Sequence, residues 1–204
     1  MPKKKQIVSD LSTEEKIKEA ARKVFTEKGY AAARTRDIAE EAGINLALLN
    51  YYFRSKEKLF DEIMLEKMQQ LFGVMFPIVS DETLPLENKI DLIVQNYIDM
   101  LIKNPNLPLF VLNEIRNPSK TFDKNFPISK MLKNTSLVNQ IKEARPDLNP
   151  VHFLLNILGM TIFPFIAKPI FGHVGLITEK EFTSLLNERK KLIPVWIKAI
   201  LKSK

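Results

Sequence analysis

The chain has 204 residues, 45% of them hydrophobic and 27% charged, a balance that excludes wholesale disorder and allows one large core or a small module joined to a larger one. It has no cysteine, which excludes disulfides and thiolate chemistry, and we find no apolar run of the roughly 18 residues that a membrane span needs. The net charge of +7, with 13 Lys and Arg against 9 Asp and Glu in residues 1–60, is compatible with a polyanionic partner but does not require one.

The first predicted helix begins at Ser12. Ser12-Thr-Glu-Glu15 has the pattern of a capping box, in which the serine hydroxyl and the glutamate satisfy free backbone N–H groups. Apolar residues then recur at helical spacing up to Phe25. Gly29 is placed to end this helix, since glycine adopts a positive φ at little cost.

Two short helices, about 36–42 and 45–53, and a turn at Gly43 form the next predicted unit. Ala39 is small where two helix backbones would cross, and Ile38, Ile44 and Leu49 would wedge the crossing. Seven residues fall in the register of a twenty-residue helix-turn-helix that starts at Thr35, namely Ile38, Ala39, Ala42, Gly43, Ile44, Leu49 and Tyr52. An ordinary αα-hairpin is the alternative. We expect Thr35 and Asn45 to be the N-caps.

A long helix is predicted from Lys56, with Ser55 as its cap. The helix dipole disfavours a cation in the first turn, so Lys56 suggests that a phosphate docks there. The alternative is a solvated lysine.

The rest of the chain predicts further helices punctuated by proline. Eleven of the twelve prolines lie between Pro77 and Pro194, and no alternating β pattern of useful length is present. The helices are expected at 86–103, 105–117, 127–145, 149–171 and 179–202. The predicted fold is therefore all-α, with about nine helices that divide into a three-helix helix-turn-helix unit over 1–55 and a helical bundle over 56–204.

Three stretches resemble the DNA-binding domain of TetR-family regulators: Phe25-Thr-Glu-Lys-Gly-Tyr30, Thr35-Arg-Asp-Ile-Ala-Glu-Glu-Ala-Gly-Ile44 and Asn50-Tyr-Tyr-Phe-Arg-Ser-Lys-Glu-Lys-Leu59. The resemblance covers about residues 12–60. It implies a bacterial one-component regulator that binds a near-palindromic operator as a homodimer and an effector in a divergent helical domain. The positions that match the family's usual DNA contacts are Thr35, Arg36, Asn45, Leu46, Ala47, Tyr51, Tyr52 and Lys56.

Base contacts are expected from the second short helix. Asn45 and Asn50 could pair with adenine edges, and Leu46 and Ala47 could meet thymine methyl groups. Asn45 could equally be used up as a cap. Side chains better placed for phosphates are Tyr51, Tyr52, Thr35 and Lys56. The family often has other residues at Asn45, Leu46, Asn50 and Tyr51, so no operator sequence can be carried over.

The large apolar side chains after residue 61 are expected to form mainly core, with some lining an effector cavity between helices. The predicted cavity residues are Phe72, Met75, Phe76, Tyr97, Met100, Phe110, Asn113, Phe122, His152 and Phe153.

The last two helices are each apolar on at least one face and could form a four-helix dimer interface across a two-fold axis. The predicted interface residues are Phe163, Phe182, Leu185, Leu186, Arg189, Leu192, Ile193, Trp196, Ile197 and Ile200. The alternative is that the 182–201 stripe packs within its own subunit.

These patterns favour a ligand-responsive transcriptional regulator, acting as a repressor in the cytoplasm. We expect double-stranded DNA, an unidentified small effector and a second copy as partners, and neither a membrane, a cofactor nor a metal, since His152 and His173 are too few and too far apart for a metal site. One alternative is an effector-independent nucleoid protein. The other is an enzyme, which no hydrolase, P-loop or zinc-protease motif supports.

Overall fold

The computed structural model describes residues 12–105, 107–116 and 135–203, and for residues 110 and 113–116 it describes the backbone. These ranges contain helices and no strand, which confirms the all-α prediction. The helices are α1 Thr13–Ala32, α2 Thr35–Glu41, α3 Leu46–Tyr52, α4 Lys56–Ser80, α5 Leu86–Lys103, α6 Leu107–Arg116, α7 Ser136–Ala144, α8 Pro150–His173 and α9 Glu179–Lys202.

Two compact units meet within α4, at Glu66 and Lys67. We predicted the boundary between residues 55 and 56, where α4 begins. The first turns of α4 belong to unit 1 because Leu59, Phe60 and Ile63 are buried. A single helix therefore contributes side chains to both units.

Unit 1 is a three-helix domain closed by the start of α4. Its buried side chains come from one stripe of α1, from Ile38 and Ala39 on α2 and from Leu49 on α3. The regular run of α1 stops at Gly29, whose φ of 74° and ψ of 161° lie in a region that side chains other than glycine rarely adopt. We predicted that the helix ends at Gly29; the positive φ is confirmed, but one more turn continues beyond this kink to Ala32.

An ionic cluster joins α1 to α4 inside unit 1. Glu66 accepts hydrogen bonds from Lys18 at 3.0 Å and from Arg22 at 2.7 Å. Although burial opposes ionisation, these two bonds hold the pKa of Glu66 below its ordinary value. Glu15 binds Arg22 at 3.1 Å, while Ser12 caps α1 as predicted by accepting from the Glu15 N–H.

Unit 2 is a helical bundle built around α5. Its core joins Ile90, Val94 and Ile98 of α5 to Phe153 of α8 and Ile193 of α9. All five side chains are fully buried. The apolar periodicity predicted the bounds of α5 and α9 well, since the predicted ranges 86–103 and 179–202 match the observed ones.

Three ion pairs link α5 and α9 in antiparallel register. They pair Glu87 with Lys202, Asp91 with Lys198, and Asp99 with Lys190. Both carboxylate oxygens of Asp91 accept from Lys198, at 2.7 and 2.8 Å. The basic face of α9 is thus committed to its own subunit.

Arg189 connects α9 to a gap in the hydrogen bonding of α8. Pro164 has no N–H to donate to the carbonyl of Met160, four residues earlier in α8. Arg189 donates to that oxygen from Nε at 3.2 Å and from Nη2 at 2.7 Å. The guanidinium thus fulfils a structural need that the proline creates.

Helix α8 has the length and hydropathy of a membrane-spanning helix, and it is the one such helix among the described residues. Residues 148–167 contain no Asp, Glu, Lys or Arg, so our expectation that no apolar run reaches membrane length was wrong. The core helix of a globular domain passes the same test, and Phe153, Ile157 and Phe165 lie in the core of unit 2.

Candidate nucleic-acid interface

The geometry of α2, the turn and α3 is that of a helix-turn-helix. Gly43 adopts a φ of 66°, as predicted, and the Ile44 N–H donates to the Ala39 carbonyl across the turn at 3.0 Å. Ile38 and Leu49 are fully buried. Two helices of seven residues each are marginal alone, so this packing is what fixes α3 on the domain.

Of the two predicted N-caps, the one for α3 is confirmed and the one for α2 is wrong. Asn45 caps α3 as expected, with its Oδ1 accepting from the Leu48 N–H at 2.8 Å. Thr35 is not the cap of α2. The cap position is Arg34, and the side chain of Asp37 accepts from the Arg34 N–H at 3.0 Å.

The outer face of α3 is exposed and carries side chains that we predicted for DNA. Ala47, Asn50 and Tyr51 are exposed, and Leu46 is half-buried. Tyr51 is 81% exposed, whereas Tyr52 is 41% exposed and packs edge-on against it with ring centroids 5.4 Å apart. The face is therefore available for a partner without unfolding of unit 1.

Lys56 has a partner that sequence reasoning missed. Its Nζ donates to the carbonyls of Tyr30 at 2.8 Å and Ala33 at 2.9 Å, and lies 4.3 Å from the centroid of the Tyr30 ring. A cation near the negative end of α1 is favourable. These contacts explain why a lysine begins α4, and they require neither a bound phosphate nor a solvated side chain. The unfavourable position of Lys56 in the dipole of α4 is therefore no longer evidence for a phosphate.

A shallow open recess of about 560 Å³ lies beside this lysine. It is bordered by the end of α1 and the start of α2, through the residues Ala31, Ala32, Ala33, Arg34, Thr35 and Lys56. Arg36, which follows Thr35 in the first turn of α2, is exposed. Cationic and hydroxyl groups therefore adjoin the outer face of unit 1.

The predicted effector-cavity residues do not share one environment. Phe153 is fully buried in the core, and Met75, Tyr97 and Met100 pack against that core. Phe72 is half-buried. Phe76 and His152 are exposed, contrary to a role in lining a cavity, since their helices turn these positions outward. The side chains of Phe110 and Asn113, and all of Phe122, lie outside the described residues.

Tyr97 and Lys89 place polar groups within unit 2. Burial raises the pKa of Tyr97 to about 12, so its hydroxyl is neutral and can donate a hydrogen bond. Lys89 is fully buried and donates to Ser136 at 2.8 Å and to Gln140 at 3.0 Å. Burial lowers its pKa. We missed Lys89 because lysines on amphipathic helices normally lie on the outer face.

The predicted dimer residues divide into two sets. Phe182, Leu186, Ile193 and Ile197 are buried in the core of their own subunit, as the alternative reading of the stripe held. Leu185, Arg189 and Ile200 are half-buried, and Phe163, Leu192 and Trp196 are exposed. Sequence periodicity could not separate these sets because α9 is apolar on two faces.

Exposed large apolar side chains remain on α8 and α9, which pack against each other. We call this surface the α8–α9 face. Its large side chains are Val151, Leu155, Leu158 and Phe163 of α8 and Leu192, Val195 and Trp196 of α9, each exposed by 39% or more. Sequence reasoning missed Val151, Leu155, Leu158 and Val195.

The comparisons with known proteins agree with this geometry. Residues 17–63 match the family of bacterial regulatory proteins described as the tetR family. The chain is 31% identical over 86 residues to the HTH-type transcriptional repressor KstR2 of Mycolicibacterium smegmatis, an alignment that spans 42% of each chain. It is 23% identical to the probable HTH-type transcriptional regulator YttP of Bacillus subtilis over 95% of this chain and 96% of that one.

Its fold resembles the crystal structure of the transcriptional regulator FadR from Bacillus subtilis in complex with stearoyl-CoA. The TM-score is 0.56 at 20% identity, covering 88% of this chain and 96% of that chain. At this identity the likeness shows the fold alone.

Proposed function

Since this chain is a TetR-family transcriptional regulator, and not an enzyme, we propose that it is a cytoplasmic repressor that binds a near-palindromic operator as a homodimer and responds to a small apolar or amphipathic effector. The observation that carries the proposal is the outer face of α3, exposed on a helix-turn-helix whose inner face is fully packed. Such a helix fits the major groove.

In this proposal the phosphates are contacted by the rim of unit 1. Hydroxyl groups come from Thr35, Tyr51 and Tyr52, and an exposed guanidinium comes from Arg36. Each of these residues lines the recess beside α2 or lies within five residues of one that does. Lys56 has two of its three N–H bonds committed to carbonyls, which leaves one for a phosphate oxygen. Such contacts set the position of α3 without reading sequence.

The α8–α9 face supports the homodimer. Exposed apolar residues on monomeric proteins are normally scattered singly, whereas the seven large ones of this face lie on two packed helices. Two helices of one copy against two of another make an isologous four-helix interface. Two recognition helices related by a two-fold axis account for a near-palindromic operator.

Features of unit 2 support the proposal that the protein binds an effector. Met75, Tyr97 and Met100 pack on its core without being fully buried, and the Tyr97 hydroxyl offers a donor. The FadR structure contains stearoyl-CoA, an amphipathic molecule. An effector that prefers one arrangement of the two chains would shift the population away from the DNA-bound one.

The test is selection of duplexes from a randomised pool by the full-length chain, followed by titration of the selected duplex at several salt concentrations. We expect a near-palindromic motif, two chains per duplex, and release by a member of a panel that includes fatty acids and acyl-CoA esters. Binding that is tight but enriches no motif would favour the nucleoid alternative. If the protein binds its selected duplex specifically and no metabolite weakens that binding, the proposal of an effector is contradicted.

A further inference from the structure

Helix α3 carries no charged side chain. Its sequence is Leu-Ala-Leu-Leu-Asn-Tyr-Tyr, and Leu49 is buried against the rest of unit 1. Arginine and lysine, whose paired donors make the commonest contact with guanine in the major groove, are therefore missing from the helix that would enter the groove.

The structure also restrains one of the two amides that could read a base. The Oδ1 of Asn45 accepts from the Leu48 N–H at 2.8 Å, which ties this amide to the start of α3, whereas an adenine contact needs both the oxygen and the amide nitrogen turned to the base edge. Asn50 has no such commitment among the bonds of the described residues and is exposed in the last turn of α3. One amide is thus left unrestrained for base recognition.

Apart from the hydroxyls of Tyr51 and Tyr52, which the proposed function assigns to phosphates, the remaining outward groups of α3 are apolar. Ala47 is exposed and Leu46 half-buried, both in the first turn of α3, so each presents methyl groups outward. The major groove offers them one apolar feature, the C5 methyl group of thymine. A G·C pair at the same place has no such methyl group, so its edge donors and acceptors would face these side chains at a cost in desolvation that no apolar contact offsets.

We propose that the bases facing α3 in each half-site are A·T pairs, with Asn50 paired to an adenine and with thymine methyl groups packed on Leu46 and Ala47. The inference rests on the proposed function, because it assumes that this face of α3 enters the major groove. Arg36, on α2, is placed outside this stretch, so any guanine that the protein reads lies at its edge.

The experiment uses the full-length chain and the duplex recovered by selection. Within each half-site, the thymines are replaced one at a time by deoxyuridine, which differs from thymidine in lacking the C5 methyl group. We expect at least one replacement per half-site to weaken binding about fourfold, the loss of one buried methyl group. A thymine outside the half-site is the control and should cause no change.

The Leu46→Ala variant tests the protein side. Leu46 is half-buried and Ala47 exposed, so a thermal melt monitored by circular dichroism first confirms that the variant folds. We expect this variant to bind less tightly and to lose sensitivity to deoxyuridine at one thymine. An Asn50→Ala variant should accept other bases at one adenine.

The outcomes separate this inference from the proposed function. A selected motif rich in G·C opposite α3 would overturn the inference and leave the regulator intact. Indifference to every deoxyuridine would overturn the methyl contacts. Failure to bind any duplex would overturn the proposed function itself.

Discussion

Lys56 shows how one side chain can satisfy two demands at the residue scale. Its ammonium donates hydrogen bonds to two carbonyl oxygens at the end of α1, and the residue begins α4. Holding these helix ends together places the recess beside Thr35. The residue can therefore affect DNA binding by positioning unit 1, whether or not it also reaches a phosphate.

We expect Lys56→Met to lower the free energy of unfolding by about 1–3 kcal/mol, because a charge-assisted pair of hydrogen bonds is lost. If Lys56 also contacts a phosphate, the slope of log affinity against log salt falls by about 1. Urea unfolding and a salt titration of the same preparation measure the two effects separately. Lys58→Met, at an exposed position two residues on, is the matched control.

A stability loss with an unchanged salt slope would assign Lys56 a structural role only. A changed slope with unchanged stability would contradict the importance of the two carbonyl bonds.

At the scale of elements, the cluster of Lys18, Arg22 and Glu66 acts together with the buried apolar side chains of α4 to hold the first turns of that helix in unit 1. Burial opposes the charge on Glu66, yet its two partners keep its pKa lowered. A carboxylate whose pKa is lower in the folded state stabilises the fold above its unfolded pKa, and the effect disappears as the pH falls through the folded value.

We therefore expect Glu66→Gln to destabilise the protein at pH 7 by roughly 1–3 kcal/mol, the range for a charge-assisted hydrogen bond. The difference from the parent should shrink as the pH drops below the ordinary glutamate value of 4.5. Urea unfolding at a series of pH values measures this. Glu62→Gln, a more exposed partner of Lys18, should have the smaller effect. A difference that is constant with pH would show that Glu66 acts by packing.

How far the sequence predicted these elements depends on the kind of interaction that determines each one. Caps and turns are local, so Ser12, Asn45 and Gly43 could be placed from sequence. The partner of Lys56 lies 23 to 26 residues away, and the bond from Arg189 to Met160 spans 29. No periodicity records such contacts, which form only when the helices pack.

The same dependence on helix packing explains why only some of the predicted dimer-interface residues are exposed. The stripe of α9 predicted apolar contact correctly, but not which part of it faces the subunit's own core. The ion pairs with α5 settle this, because Lys190, Lys198 and Lys202 fix how α9 is rotated. Helix α9 places one face on the core and pairs another with the acidic residues of α5. Its remaining face, with Leu192, Val195 and Trp196, is exposed.

At the scale of the whole molecule, each unit has its own core, and both draw on α4. In the proposed function, α3 contributes uncharged side chains and the charged side chains lie around it, so affinity and specificity would come from different residues. Apolar base contacts from one chain would give limited discrimination, and two half-sites bound together would multiply it. Specific binding would therefore require the proposed dimer.

The Val195→Glu variant tests this requirement. Val195 is 62% exposed, so the substitution leaves the core of unit 2 intact, but in a dimer it would bury a charge on the α8–α9 face. We expect the dimer dissociation constant to rise more than about a hundredfold, since an unpaired buried charge costs several kcal/mol. Sedimentation velocity at micromolar concentration measures this, and operator affinity should fall in parallel.

Leu92→Glu is the control, because Leu92 is also an exposed large apolar residue but lies on α5. It should leave both the mass and the operator affinity unchanged. If the parent chain is a monomer at micromolar concentration, or if Val195→Glu remains a dimer, the α8–α9 face is not the interface. If the variant is monomeric yet binds the selected operator as tightly as the parent, specificity does not depend on two half-sites, and each α3 must read more than its uncharged surface suggests.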